Sequence, residues 1–133
     1  MNRRAQTLTA INNVADEGFK WGATDCCQLA ATVAKAITGK DFSEGYSYDT
    51  STGALRIIAA HHGIEGIVTK ALGTPTESLA ELDYGDPVLL SPECGDVIGV
   101  WFRSFAYCRF ESGQIAKVPH TNVIKGWRLK WAQ

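Results

Sequence analysis

The residues of this chain with the clearest chemical potential are two adjacent cysteines, Cys26 and Cys27, at the predicted start of a helix. Asp25 precedes them and is a good N-cap, because its carboxylate can accept hydrogen bonds from the free amides of the first helical turn. The cysteines then fall within that turn, where the helix dipole favours an anion and lowers the pKa of a thiol. Gly39 stands where a C′ glycine ends a helix. The pattern predicts a helix-start thiol with nucleophilic character.

A cysteine nucleophile also needs a general base within hydrogen-bond reach, normally a histidine held by a third polar group. The chain contains three histidines, His61, His62 and His120. The first two lie near the end of a predicted helix, where solvated histidines are favoured. His120 follows Pro119 at the end of a late strand, and it is the candidate base if Cys26 is active.

Two other interpretations of the cysteines stay open. A buried cysteine often behaves as a small hydrophobe, so both residues could serve as inert packing. Metal or cluster binding is the other, but the spacing of the four cysteines lacks the gap of a CxxC pair. We therefore predict neither a metal nor a cofactor. The N-terminal residues lack the apolar segment of a signal peptide, so we expect reduced thiols rather than disulfides.

Composition predicts one globular domain over residues 1–133, because 45% of the residues are hydrophobic and 20% are charged. The formal net charge of -1 provides no bulk attraction to nucleic acid. No apolar run approaches the length of a membrane-spanning helix. The sequence thus predicts neither nucleic-acid binding nor membrane insertion.

The periodicity changes from helical to extended along the chain. Residues 1–73 are predicted to be mainly helical, with helices over 4–17, 24–38, 52–62 and 64–72, and residues 84–131 are predicted to be mainly strands. In the second helix an apolar stripe turns Cys26 toward the core and leaves Cys27 about 100° round the axis. Helices followed by short strands with hairpin-length loops predict an α+β fold with an antiparallel sheet.

Aromatic residues are concentrated in one predicted strand region. If the strand is regular, Trp101, Phe105 and Tyr107 share one face and Phe102 lies on the other. Only one face can pack on the helices, so the other must contact another layer or a partner. Trp101, Phe102, Phe105 and Tyr107 are therefore interface candidates.

Three segments give the chain a resemblance to the NlpC-type cell-wall peptidases, a compact papain-like family of bacteria and phage tails. They are 25–29 (DCCQL), 84–89 (YGDPVL) and 97–101 (VIGVW). The resemblance implies a papain-like fold in which N-terminal helices pack on a C-terminal antiparallel sheet, with Cys26 at the nucleophile position. It also implies that Val97 stands where the family has its catalytic histidine, and that His120 lies roughly where the family keeps its third polar residue.

Over nearly its whole length the chain also resembles small phage and prophage proteins of unknown function that occur among tail-assembly genes. The shared features are Trp21-Gly22, 25–27 (DCC), 38–41 (TGKD), 85–86 (GD) and 127–129 (WRL). This resemblance implies a structural component of a phage tail tip, a degenerate papain-like domain that contacts tail hub or distal tail proteins. Such a protein belongs to the virion, and to the host cytoplasm during assembly.

Two alternative functions stay open. One is an active cysteine hydrolase, a peptidoglycan endopeptidase with Cys26 as nucleophile, His120 as base and backbone amides at the helix start as the oxyanion hole. The other is an assembly chaperone for the tail.

Overall fold

A computed structural model describes residues 2–18, 20–22, 25–43, 46–91, 94, 97–110 and 112–130 of the chain. Within these ranges helices come first and strands second, which confirms the predicted α+β class. The helices are α1 (Arg3–Val14), α2 (Cys26–Thr38), α3 (Ser51–Ala60) and α4 (Gly63–Leu72). The strands are β1 (Pro87–Leu90), β2 (Ile98–Trp101), β3 (Phe105–Arg109), β4 (Ile115–Pro119) and β5 (Val123–Gly126). No helix in the described ranges is long and apolar enough to cross a membrane.

The strands form one antiparallel sheet in the order β4-β3-β2-β1-β5. Alternating residues of β2 divide between two apolar clusters: Ile98 and Val100 pack with α1 and α2, and Trp101 packs with residues of β1 and β3. Helix α2 lies directly on β2. The start of α2, where the two cysteines lie, is thereby placed against the sheet.

Helix α2 has the N-cap and the C-terminal glycine that its sequence predicts, and it begins at Cys26, two residues after the predicted start at 24. Asp25 accepts a hydrogen bond from the Gln28 amide at 2.9 Å, and Gly39 ends the helix in the left-handed conformation with φ of 79°. The buried stripe includes Leu29, Val33 and Ile37. Both ends and the buried face are set by neighbouring residues, so local sequence is sufficient to predict them.

Two buried arginines attach α1 to the strand half of the molecule. At the start of the helix, Arg3 donates from Nη2 to Oδ1 of Asp86 at 2.5 Å. At its end, Arg109 of β3 donates to the carbonyl oxygens of Val14 and Gly18, the second at 2.7 Å. The C-terminus of a helix carries partial negative charge, so a cation there is stabilising.

The turn before β1 packs tightly against the helices. Gly85 has φ of 89°, and a Cβ at this position would lie 2.3 Å from Cδ1 of Ile37 and 2.7 Å from Oγ1 of Thr7. Asp86 bonds the backbone of its own turn by accepting from the Asp83 amide at 2.8 Å. The Gly-Asp pair therefore serves the geometry of the turn.

The aromatic segment differs from the prediction. The chain reverses between β2 and β3, so Trp101 pairs with Ala106 and shares its face, opposite to Phe105 and Tyr107. The prediction that Trp101 lies on the same face as Phe105 and Tyr107 is wrong for this reason. Trp101 is 2% exposed and Phe102 is 8% exposed, so both are core residues. Phe105 and Tyr107 are half-buried and stay interface candidates.

Candidate functional site at the start of helix α2

Asp25 organises the start of α2 through both carboxylate oxygens. Its Oδ1 accepts from the Gln28 amide at 2.9 Å, and its Oδ2 accepts from the Gly22 amide at 2.8 Å and from the Tyr48 hydroxyl at 2.6 Å. The residue is 2% exposed. The carboxylate therefore joins the loop before the helix, the first helical turn and the segment that leads to α3.

Tyr48 is the partner of Asp25 that sequence reasoning missed. Burial, and then the hydrogen bond to the Asp25 carboxylate, raise the pKa of the Tyr48 phenol far above its usual value, so the hydroxyl stays a donor. The Tyr48 backbone also passes close to Gly22: a Cβ there would lie 1.7 Å from the Tyr48 carbonyl oxygen. Gly22, with φ of 79°, is thus required by this close approach.

The two adjacent thiols have opposite electrostatic character. A side-chain hydrogen bond with Cys27 is the largest of the effects that lower the pKa of Cys26. A backbone hydrogen bond from Ile98 lowers it further, against the opposing effects of burial and of the Asp25 charge. The same thiol–thiol bond, together with burial, raises the pKa of Cys27 well above its usual value. Cys26 is therefore the member of the pair that ionises first.

A cavity of about 470 Å³ opens beside the thiols, between α2 and the pair formed by α3 and α4. This volume lies within the range of about 300–1,000 Å³ that is usual for small-molecule sites. Its polar end carries Asp25, Cys26, Cys27, Gln28 and Tyr48. Its walls are largely aliphatic and include Ala30, Ala34, Ile57, Ile58, Ile67 and Val68.

Val97 forms part of the same cavity wall, and it packs against the same apolar cluster as Cys26. This is the position at which the peptidase resemblance implies a histidine. Among the described residues that line the cavity there is no histidine. A valine has no atom that can accept a proton, so this position offers Cys26 no base.

The histidines lie elsewhere in the fold. His120 begins a short 3-10 turn after β4 and has an exposed side chain. His62 is exposed, and His61 is half-buried with Nδ1 2.8 Å from the Ile57 carbonyl oxygen. His61 also contacts the ring of Tyr46 edge-on at 5.4 Å, so it is not the solvated residue that the sequence suggested. The role of His120 as base to Cys26 stays a prediction.

The other two cysteines lie close to this site. Cys94 lines the cavity, and its Sγ accepts from Nδ2 of Asn122 at 3.4 Å. Cys108 is buried, its Sγ is 3.6 Å from the Ile98 carbonyl oxygen, and burial followed by the charge of Cys26 raises its pKa. All four cysteines are free thiols. In the part of the chain that the structure describes, no group of three or more histidine, cysteine or acidic residues is arranged to hold a metal ion.

Comparison with known protein families places nearly the whole chain in one of them. A family model described as a domain of unknown function (DUF6950) matches residues 2–129. The chain belongs to this family. The description of DUF6950 assigns no activity. No curated protein and no solved structure matches the chain.

Proposed function

We propose that this DUF6950 protein is a structural component of a bacteriophage tail tip, built on a papain-like, NlpC-type domain without a working catalytic base. The observation that carries the proposal is the identity of a residue that lines the same cavity as Cys26. A cysteine at the start of a helix that packs on a strand is the arrangement implied by the peptidase resemblance, and the same resemblance assigns the position of the base to Val97, which lines that cavity.

Three titratable residues that line the cavity with Cys26, namely Asp25, Cys27 and Tyr48, do not replace the base. Both oxygens of Asp25 already accept hydrogen bonds, from two backbone amides and from the Tyr48 hydroxyl. Tyr48 keeps its proton because its pKa is raised far above the usual value. Cys27 is itself a donor to Cys26 and has a raised pKa. A thiol in this setting lacks the proton acceptor and donor pair that acyl transfer requires.

The tail assignment is supported by the resemblance to small phage proteins encoded among tail-assembly genes. On this proposal the domain contacts tail hub or distal tail proteins, belongs to the virion, and is in the host cytoplasm during assembly. The many hydrogen bonds at the start of α2 then stabilise a rigid packing unit.

The test is mass spectrometry of purified phage particles from a genome that carries this gene, compared with particles from a deletion strain. We expect the chain in wild-type tails, and we expect Cys26→Ser to leave assembly and infectivity unchanged while deletion abolishes them. A chain that is needed for assembly but missing from particles is instead an assembly chaperone, and the structural proposal is then wrong.

The second candidate is an active cysteine hydrolase that acts on peptidoglycan. The observation that favours it is the lowered pKa of Cys26 on the wall of a ligand-sized cavity. Its test is digestion of muropeptides with the wild type, Cys26→Ser and His120→Ala. Product release that both substitutions abolish would establish the hydrolase with His120 as its base.

A further inference from the structure

Four aromatic rings form a cluster next to the start of α1, and three of them, Tyr84, Phe105 and Tyr107, are half-buried. Phe102 is at its centre, with ring centroids of Tyr84, Tyr107 and Phe105 at 4.9, 5.2 and 5.5 Å. Phe105 and Tyr107 are 5.0 Å apart, nearly perpendicular at 83°. Three secondary-structure elements meet here, because these rings come from the turn before β1, the β2–β3 connection and β3.

Three exposed cations lie over these rings. The guanidinium of Arg4 is 5.4 Å from the Phe102 centroid, and the ammonium of Lys117 is 5.1 Å from the Phe105 centroid. The guanidinium of Arg103 is 5.9 Å from the ring of Tyr84. We call the three cations and the half-buried rings of Tyr84, Phe105 and Tyr107 the basic–aromatic patch.

The three cations of the patch form no ion pair with the described part of the chain. The ion pairs found there, Arg3–Asp86 and Lys125–Glu65, include none of the three cations. The patch therefore concentrates three positive charges on a chain with a formal net charge of -1. A surface of this kind attracts a partner of opposite charge.

Arg103 is held in place by its backbone as well as by its side chain. Its φ of 77° lies in the left-handed region, which is uncommon for a residue with a side chain. Its Nη1 donates to the Leu82 carbonyl oxygen at 3.2 Å, and this bond fixes the guanidinium beside Tyr84. A cation that is already positioned loses little conformational freedom when a partner binds.

We propose that the basic–aromatic patch binds an acidic segment of a partner protein, whose carboxylates pair with Arg4, Arg103 and Lys117. Guanidinium groups bind carboxylates in a bidentate geometry, and the surrounding aromatic rings supply apolar contact. Stacking of nucleic-acid bases requires open ring faces. In the patch the rings meet edge-to-face and cations cover the faces of Phe102 and Phe105, so a carboxylate partner is favoured.

That the acidic partner is a tail protein rests on the proposed function, but the chemistry of the patch does not. The experiment therefore uses two kinds of probe: the purified hub and distal tail proteins of a phage whose genome carries this gene, and a polyglutamate peptide. A single-stranded DNA oligonucleotide is the third probe. Binding is measured by biolayer interferometry on the full chain.

The test variant is Arg4→Glu/Arg103→Glu/Lys117→Glu. Its matched control is Arg56→Glu/Arg128→Glu/Lys70→Glu, which reverses the same number and types of exposed cations outside the patch. We expect the patch variant to weaken binding of an acidic probe about 100-fold and the control to change it less than about threefold. We also expect binding to weaken as NaCl rises from about 50 mM to about 500 mM, because exposed charges are screened.

A second variant guards against loss of folding. Arg103→Gly removes the guanidinium at a position where the backbone favours glycine, so we expect reduced binding without a lower melting temperature. Patch-dependent binding of polyglutamate without binding of any tail protein would support the patch and count against the tail-tip function. Equal binding by the patch and control variants, no binding of either acidic probe, or patch-dependent binding of DNA alone would overturn the inference.

Discussion

Two buried aspartates hold the fold together in different ways. Asp25 and Asp86 are 2% and 1% exposed, and each carboxylate accepts hydrogen bonds from two backbone amides and one side chain. The side-chain donor to Asp86 is the guanidinium of Arg3, whereas the donor to Asp25 is the neutral hydroxyl of Tyr48. The Asp86 site therefore contains an ion pair. The donors to Asp25 include no cation.

The difference has a chemical consequence. Asp86 lies in the closed interior, where burial raises the pKa of the carboxyl in spite of the Arg3 charge and the three hydrogen bonds. Asp25 lies on the wall of the cavity, where its charge raises the pKa of Cys26 against the hydrogen bond from Cys27. The first aspartate stabilises the fold, and the second also sets the electrostatics of the thiol pair.

Breaking the ion pair should have the largest effect on stability. Asp86→Ala leaves the buried guanidinium of Arg3 without its carboxylate, so we expect a loss of about 3–5 kcal/mol in the free energy of unfolding, measured by urea denaturation. In the double variant Arg3→Met/Asp86→Ala the loss should be smaller than in Asp86→Ala, because no charge is left buried alone. A loss below about 1 kcal/mol in the single variant would contradict the role given to this pair.

The Asp25 site, which has no ion pair among its donors, should be less sensitive to loss of its carboxylate. Asp25→Ala removes the helix cap and leaves the Tyr48 hydroxyl and the Gly22 amide without their acceptor, so we expect a loss of about 2–3 kcal/mol. The matched control is Thr50→Ala, which removes the exposed cap of α3 and should cost about 1 kcal/mol. Equal losses in the two variants would mean that Asp25 is only a cap.

Removal of one hydrogen-bond donor to Asp25 should lower the free energy of unfolding by less than removal of the Asp25 carboxylate does. Tyr48→Phe keeps the ring and deletes the 2.6 Å hydrogen bond to Oδ2, so we expect a loss of about 1 kcal/mol. Tyr46→Phe is the control, because that ring also lines the cavity and the structure gives its hydroxyl no bond to Asp25. Equal changes in melting temperature for the two tyrosine substitutions would contradict the prediction.

Substitution in the thiol pair should have the smallest effect on stability. It should instead change the pH dependence of thiol reactivity. Cys27→Ala removes the hydrogen bond that lowers the pKa of Cys26, so the pH midpoint of Cys26 alkylation by iodoacetamide should rise. Below that midpoint the variant should react more slowly than the wild type, because less thiolate is present. Cys94→Ala should leave the midpoint nearly unchanged, since the main causes of the shift at Cys26 are Cys27, burial, the Ile98 backbone and Asp25. An unchanged midpoint in Cys27→Ala would contradict the conclusion that Cys27 lowers the pKa of Cys26.

The prediction of α2 from the sequence succeeded because its determinants are local. Asp25 caps the amide of Gln28, three residues away, and Gly39 ends the helix at the residue after Thr38. The Asp25–Tyr48 bond spans 23 residues, and the Arg109–Gly18 bond spans 91. No periodicity or spacing in the sequence indicates bonds of that length, so neither Tyr48 nor Arg109 was recognised.

The aromatic segment shows why the remaining error arose. The connection between β2 and β3 contains neither glycine nor proline, and the turn is made by Arg103 in the left-handed conformation. Without glycine or proline the segment resembles one continuous strand, and the sequence therefore predicts the wrong face for Phe105 and Tyr107 relative to Trp101. With this reversal Phe102 is buried, and Phe105 and Tyr107 are half-buried.

The sequence by itself determined the helices-first α+β order, the boundaries of α2 and the presence of thiols in its first turn, because these depend on neighbouring residues and on periodicity. Only the tertiary structure decided what surrounds those thiols: the cavity that Val97 also lines, the Cys27 hydrogen bond that separates the two pKa values, and the Tyr48 hydroxyl on Asp25. The physical reason is that a thiol becomes a nucleophile through groups brought to it from distant parts of the chain.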